Sequence, residues 1–324
     1  MMESKAVPSK RSAIRSDVLQ QVLAFASLIV MFVVFSLASP NFATFTNIVG
    51  ILLSTAVIGI LAVGVTFVII TGGIDLSVGT VMTFASVITG VIISYWGLPV
   101  LVGVLGGLAA GALCGFVNGT VTAKMRVPPF IATLGMMMMS QGLSLVISGT
   151  RPIYFLSTPG FRQIAMGSLV GIPNAVWIFF ASAVIGSLVL TKTVLGRYTF
   201  ALGSNEEATR LSGINVDRWK IAVYTLCGLY SGLAGVVMAS RLNSAQPALG
   251  AGYELEAIAA VVIGGTSLSG GEGSVLGTVI GAFLMSVLIN GLRILSIPQE
   301  WQKVVIGAIV IVAVYADIVR RRRR

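Results

Sequence analysis

The chain has 324 residues, of which 56% are hydrophobic and only 10% are charged, and its formal net charge is +10. Soluble domains contain about 25% charged residues, so this composition excludes an ordinary soluble protein and predicts an all-α integral membrane protein. The chain has no histidine, which removes imidazole metal sites and the commonest general base. Its basic residues cluster in tails and short loops, which argues against nucleic-acid binding.

The predicted elements begin with a basic tail over residues 1–17, followed by the apolar stretch 18–38. That stretch is longer than the apolar core of a signal peptide, about 7–15 residues, so we expect an uncleaved first span. A membrane crossing needs about 20 apolar residues. By that criterion the further predicted spans are 48–71, 77–95, 98–123, 130–148, 173–191, 221–240, 255–266, 275–292 and 302–319.

Charge predicts the orientation of these spans. Cytoplasmic loops retain Lys and Arg, so the tail 1–17, the loop 124–126, the polar loop 192–220 and the five arginines at 320–324 are all expected in the cytoplasm. Both termini then lie inside, which requires an even number of spans. We therefore expect about ten, with the short segment 255–266 included, in a single transmembrane domain over residues 18–319.

A glycine-rich break separates the second and third predicted spans. Gly72 and Gly73 end one helix, and Asp75 and Ser77 precede the next. An ionisable residue beside the hydrocarbon is a functional candidate by default, so these four residues are candidates for a translocation path. The humbler interpretation, which we favour, is that Asp75 accepts hydrogen bonds from backbone N–H groups near Ser77 and fixes the start of the next helix.

A second glycine-rich segment, 264–271, resembles the first in the pattern GG-x-[DS]-L-S-x-G. Glycine-broken helices often mark the working regions of transporters. The predicted topology places both segments on the same side of the membrane, which an inverted repeat would not do. The similarity is therefore either chance or the sign of a half-helix, and the sequence leaves both open.

Uncharged polar residues lie within three apolar spans: Asn118, Gln141 and Asn290. They could bind the hydroxyls of a neutral polar solute, and hydrogen bonding between helices is an equally good interpretation of each. Since we count no acidic residue in the middle of a span, the pattern argues against an ion-coupled mechanism and a charged substrate.

Two segments are predicted to face the outside. Region 241–256 is broken by proline and glycine, and Arg241, Gln246 and Tyr253 are its candidates for contact with a ligand or a delivering protein; a structural turn is the alternative. The loop 149–172 is a candidate docking surface for an extracytoplasmic partner, or an exposed connector.

The polar loop 192–220 contains a short predicted helix over 206–211, preceded by a Ser-Asn turn signal and ended by Gly213. Glu206, Glu207, Ala208 and Gly213 are candidates for contact with a cytoplasmic ATPase; a solvated helix face is the alternative. The chain lacks the phosphate-binding loop G-x-x-x-x-G-K-[ST] and any nucleophile–base pair, so we expect no catalytic residue, no cofactor and no enzyme activity of its own.

Three blocks carry a family resemblance: ITGGIDLSVG (70–79), GSNEEATRLSGI (203–214) and SAQPALGAGYELEAIAAVVIGGTSLSGGEGSVLGT (244–278). Together they resemble the ribose-type permeases, the membrane subunits of bacterial ABC importers for monosaccharides, and the likeness runs from about residue 40 to about residue 315. Glu207-Ala208-Thr209, followed by Gly213, is similar to the EAA-x-x-x-G coupling motif of importers, although Thr209 departs from its second alanine.

The resemblance implies a permease in the bacterial inner membrane that moves a neutral monosaccharide, ribose or a related pentose or hexose, into the cell. It implies four kinds of partner: a second permease subunit, two ATP-binding subunits or one fused double ATPase that hold ATP and magnesium, a periplasmic sugar-binding protein, and lipid. The rival interpretations are an ion-coupled secondary sugar transporter, a passive channel, and a membrane scaffold or sensor. The exact sugar and the choice between homodimer and heterodimer stay open.

Overall fold

Helices dominate the computed structural model, which describes residues 10–322. The helices are α1 (Lys10–Ala38), α2 (Phe45–Ile70), α3 (Val78–Gly90) with a π-helical turn (Val91–Tyr95), α4 (Val100–Ala123), α5 (Pro129–Ser148), α6 (Pro159–Met166), α7 (Asn174–Lys192), α8 (Val194–Ser204), α9 (Glu206–Leu211), α10 (Val216–Leu242), α11 (Tyr253–Ile263), α12 (Val275–Ile294) and α13 (Gln299–Arg322). The strands are β1 (Ile153–Tyr154), β2 (Ser168–Leu169), β3 (Ile172–Pro173) and β4 (Ser244–Ala245). Residues 1–9 and 323–324 of the predicted basic tails lie outside the described residues.

Each of the ten predicted spans coincides with a helix, which confirms the all-α membrane fold. Within residues 10–322, eight helices are long and apolar enough to cross a membrane: α1, α2, α3 with its π-helical turn, α4, α5, α7, α10 and α12. The two remaining predicted spans correspond to α11, with 11 residues, and α13, with 24 residues. The number of crossings and their orientation stay predictions.

Glycines hold the centre of the bundle together. Gly111 and Gly115 on α4 lie directly against the backbone of Gly228 on α10, and Gly107 lies near Gly232 one turn further along. Lipid tails are as apolar as leucine, so membrane helices associate through close van der Waals contact, which small residues allow. The pair α4 and α10 is therefore packed backbone to backbone.

The helix connections collect at two ends of the bundle. At the polar-loop end, the backbone N–H of Gly271 donates to the carbonyl oxygen of Ile70 at 2.9 Å, and Gly203 packs against the same carbonyl. The two glycine-rich segments thus meet there, together with the polar loop 192–220. At the opposite end, the hairpin end, β1 pairs with β4, so Ile153 faces Ala245.

The predicted outer loop 241–256 is partly wrong, because its chain enters the bundle. Arg241 belongs to the last turn of α10, and the chain leaves the helix only after Leu242. It passes Gly90 of α3 at Ala245 and reaches Gly79 at Gly250, about 16 Å along α3 at 1.5 Å per residue.

The half-helix α11 then completes this passage. Gly264, at its end, packs against Gly277 near the start of α12, at the polar-loop end. With 11 residues α11 is about 16 Å long, roughly half of a 30 Å hydrocarbon core. The short predicted segment 255–266 is thus the half-helix α11, preceded by non-helical chain, and a crossing of the membrane there stays a prediction.

The α4–α10 contact generates a stability prediction. A β-carbon at Gly228 would meet the carbonyl oxygen of Gly111 and the backbone of Gly115. Because backbone cannot step aside as a side chain can, we expect Gly228→Ala to destabilise the protein by about 1–3 kcal/mol. Thermal unfolding of the purified protein in detergent measures the effect.

Gly142 on α5 is the matched control, because nothing lies within 4 Å of a β-carbon built there. Gly142→Ala is expected to retain or slightly raise the unfolding temperature, since Ala is the better helix former. Equal behaviour of the two variants would contradict the packing assignment.

Candidate functional site

Most of the residues that the sequence singled out fall into three separate places. The first is the connector between α2 and α3. Asp75 is only 2% exposed there, and its Oδ1 accepts from the backbone N–H of Ser77 at 2.8 Å and from the Ser77 hydroxyl at 2.6 Å. The side chain of Asn118 on α4 donates to the same hydroxyl at 3.0 Å. Burial raises the pKa of Asp75, and the hydrogen bonds from Ser77 and Asn118 oppose that rise.

Asp75 therefore closes a turn at Ser77, the residue directly before α3, which agrees with the interpretation of Asp75 as a local structural group. Gly72 has a φ of 78°, which suits glycine, and Gly73 lies against the hydroxyl of Tyr224 on α10. The connector is thus a rigid joint between α2, α3, α4 and α10. Gln141 does not join it: among the described residues, its side chain makes no hydrogen bond to this group.

The second place is a cavity of about 530 Å³ in the hairpin-end half of the bundle. It lies between α2, the end of α10, the segment before α11, α12 and the start of α13. Its volume falls in the range of about 300–1,000 Å³ typical of small-molecule sites. Its polar lining includes Arg241, Tyr253, Glu256, Ser286, Asn290, Arg293, Gln299 and Gln302.

Three of the predicted residues line this cavity, and each already has structural neighbours. Arg241 donates to the carbonyl oxygen of Leu53 at 3.2 Å. Asn290 and Asn47 exchange two hydrogen bonds, at 2.9 and 3.0 Å, which fix α12 against α2. Tyr253 opens α11 beside the cavity.

Gln246, in contrast, does not reach the cavity. Its side chain donates to the Ser244 hydroxyl at 3.0 Å, and the residue is not part of the cavity lining.

Sequence reasoning missed Glu256, Ser286 and Arg293. Glu256 lies at the start of the predicted segment 255–266, where the search for acids in the middle of spans passed over it. An ionisable residue within an apolar segment is the signal that could have found it. Ser286 gave no signal, because a serine in an apolar span is common.

The third place is the polar loop, where the structure confirms the short helix. Asn205 begins α9 by accepting from the backbone N–H of Ala208 at 2.9 Å. Gly213 follows the helix with a φ of 80°. The buried hydroxyl of Thr209 donates to the carbonyl oxygen of Ala201 at 3.0 Å. The residue that departs from the importer motif therefore anchors α9 to α8.

The two adjacent glutamates of α9 face different surroundings. Glu206 accepts from Lys220 on α10 at 2.6 Å and from Arg210 at 3.3 Å. Partial burial raises the pKa of Glu206, but the hydrogen bonds and charges of Lys220 and Arg210 outweigh it, so the pKa lies below its ordinary value. Glu207 and Leu211 are exposed, and Leu211 is 82% exposed. Thus α9 has one face held by its own chain and one face open.

The ion pair between Glu206 and Lys220 generates a prediction about local stability. Lys220→Met is expected to speed amide hydrogen exchange in residues 205–212 about two- to fivefold, the effect of a partly exposed pair. Because the pKa of Glu206 is lowered, the wild-type protection is present at neutral pH and is lost as the pH falls through that pKa.

Exchange measured by mass spectrometry distinguishes the two glutamates. Glu206→Gln should behave like Lys220→Met, whereas the exposed control Glu207→Gln should exchange like the wild type. Faster exchange in Glu207→Gln alone would contradict this assignment.

The sequence of this chain is similar to those of known transport proteins. A family model described as the permease component of branched-chain amino acid transport systems matches residues 47–314. The ribose import permease protein RbsC of Escherichia coli strain K12 is 43% identical to this chain over 98% of the chain and 99% of that protein. The fructose import permease protein FrcC of Rhizobium meliloti is 39% identical over 87% of this chain and 80% of its own length.

The L-arabinose transport system permease protein AraH of Escherichia coli strain K12 is 38% identical over 91% of this chain and 89% of its own length. No solved structure matches the chain. The helical bundle with its eight membrane-length helices agrees with these relatives. The chain therefore belongs to this family of transport-system permease components, is similar to its ribose-type members over nearly its whole length, and is a multi-pass protein of the inner membrane.

Proposed function

We propose that this chain is the membrane subunit of an ABC importer that carries a neutral monosaccharide, ribose or a related pentose or hexose, into the bacterial cell. The family description refers to branched-chain amino acids, but the three relatives described above are named for ribose, fructose and L-arabinose. The ribose permeases match this chain over nearly its full length, which favours a sugar.

The observation that carries the proposal is the two-faced helix α9. Its inner face is fixed to α8 by Thr209 and to α10 by the Glu206–Lys220 ion pair. Its outer face presents Glu207, Ala208 and Leu211 to the surroundings. One exposed leucine is ordinary by itself, but Leu211 stands on the face of α9 that the contacts described above leave open. A separate subunit can contact α9 on this face, and ATP hydrolysis on that subunit would act on the bundle through α9.

The remaining partners follow from the same proposal. A second permease subunit, identical or related, would complete the membrane part, and two ATP-binding subunits or one fused double ATPase would hold ATP and magnesium. A periplasmic sugar-binding protein would dock at the hairpin end, where Leu156 and Val170 are 81% and 87% exposed. The predicted docking loop 149–172 is partly folded there, since Phe155 and Phe161 are fully buried.

Sugar uptake tests the function directly. Proteoliposomes would contain this chain and its ATPase, with the binding protein outside and ATP inside, and a panel of labelled monosaccharides would be offered. We expect uptake of one sugar that requires both partners and ATP. Uptake that persists without the ATPase or the binding protein would instead indicate a secondary transporter or a channel.

The outer face of α9 generates a second prediction. Leu211→Asp and Glu207→Arg should each lower ATP-dependent uptake about tenfold or more, as loss of a central interface residue does, while membrane insertion is retained. Met125, 67% exposed in the neighbouring loop at the same end, is the control position. Met125→Asp should transport like the wild type, and normal transport by Leu211→Asp would refute the contact.

A further inference from the structure

The cavity at the hairpin end contains a hydroxyl with no partner among the described residues. Ser286 lies on α12, is 1% exposed and lines the cavity. Its Oγ is one of the buried side-chain polar atoms that lack a hydrogen-bond partner within residues 10–322, and the others, such as that of Thr122, do not line this cavity. A buried hydroxyl without a partner costs about 1–3 kcal/mol, so a molecule in the cavity, either water or a ligand, can stabilise this site by pairing with it.

The groups around Ser286 suit a molecule with many hydroxyls. Glu256 can accept hydrogen bonds, Arg293 can donate them, and Gln299 can do both. A sugar hydroxyl both donates and accepts, so it can pair with either kind of group. The lining also includes the cations Arg241 and Lys303. Its excess of basic groups suits the oxygen-rich surface of a sugar, because each of them can donate hydrogen bonds to hydroxyl oxygens.

The backbone beside the cavity supports the same inference. The segment from Leu249 to Gly252 is not helical where it borders the cavity, and α11 starts directly after Gly252, whose φ is 103°. Non-helical backbone within the membrane is tolerated where it is covered by protein or lines a water-filled cavity. In transporters, broken helices of this kind border substrate sites near the bilayer midplane.

We propose that this cavity, between α2, α11, α12 and α13, holds the sugar during its passage through the subunit, and that the Ser286 hydroxyl binds it directly. The inference rests on the proposed import of a monosaccharide and adds the place where the permease itself contacts the sugar. Glu256 accepts further hydrogen bonds from the sugar, and Arg293 donates hydrogen bonds to it.

The test compares stability with transport in the complete reconstituted importer. Ser286→Ala removes a hydroxyl that has no partner in the part of the chain that the structure describes, so the unfolding temperature should stay equal or rise. Uptake of the sugar that the wild type transports should fall about three- to tenfold, the loss of one or two hydrogen bonds to a neutral ligand. ATP hydrolysis stimulated by the loaded binding protein should be unchanged, because α9 and the ATPase contact are untouched.

Thr122→Val is the matched control, because Thr122 is also buried with an unpartnered hydroxyl but lies on α4, away from the cavity. It should transport like the wild type. A second variant, Glu256→Gln, preserves shape and should also lower uptake while stimulated ATP hydrolysis is retained.

The outcomes separate this inference from the function on which it rests. Wild-type uptake together with undiminished uptake by both Ser286→Ala and Glu256→Gln overturns the cavity assignment and leaves the importer intact. A parallel fall of uptake, ATP hydrolysis and unfolding temperature would show a structural role for Ser286 and also overturn it. Wild-type liposomes that take up none of the sugars would overturn the proposed function and this inference with it.

Discussion

The structure depends on one constraint: inside a membrane, every backbone N–H and C=O group must find its partner within the protein. Helices meet this requirement by themselves, but each break in a helix must be covered by neighbouring chain. Glycine allows that cover to come close, as where Gly79 lies against Gly250 and Gly264 against Gly277. Many of the 38 glycines therefore stand where another backbone or a side chain comes close, while others, such as Gly142, have open space beside them.

The same constraint explains why the cavity lies where it does. A chain that descends through the bundle without forming a helix has few internal hydrogen bonds and fills less space than a helix does. The segment 246–252 descends in this way, and the space beside it is bordered by α12 and α13. Polar side chains such as Glu256 and Arg293 can then be retained in the bundle, because they face this space and not lipid. The non-helical segment 246–252 thus accounts both for the short length of α11 and for the polar cavity beside it.

Hydropathy predicted the membrane helices because each one is a long run of apolar residues. Local signals predicted α9 and the Asp75 hydrogen bond, because both form between residues that are close in sequence. The cavity could not be predicted in this way, since its lining comes from residues as distant in sequence as Ser54 and Gly307. Similarly, the sequence shows two adjacent glutamates in α9. Which of them faces inward is decided by Lys220, 14 residues after Glu206.

The helix α10 physically connects the short helix α9 to the cavity. The helix α10 has 27 residues, and it runs from Lys220, which is paired with α9, to Arg241, which lines the cavity. Along its length it is locked to α4 by glycine contacts between backbones, which leave little room for sliding or bending. A displacement of α9 by a bound ATPase would therefore move α10 and α4 together and would reach the cavity at the other end of α10. This single helix is therefore the shortest connection between α9 and the cavity proposed to hold the sugar.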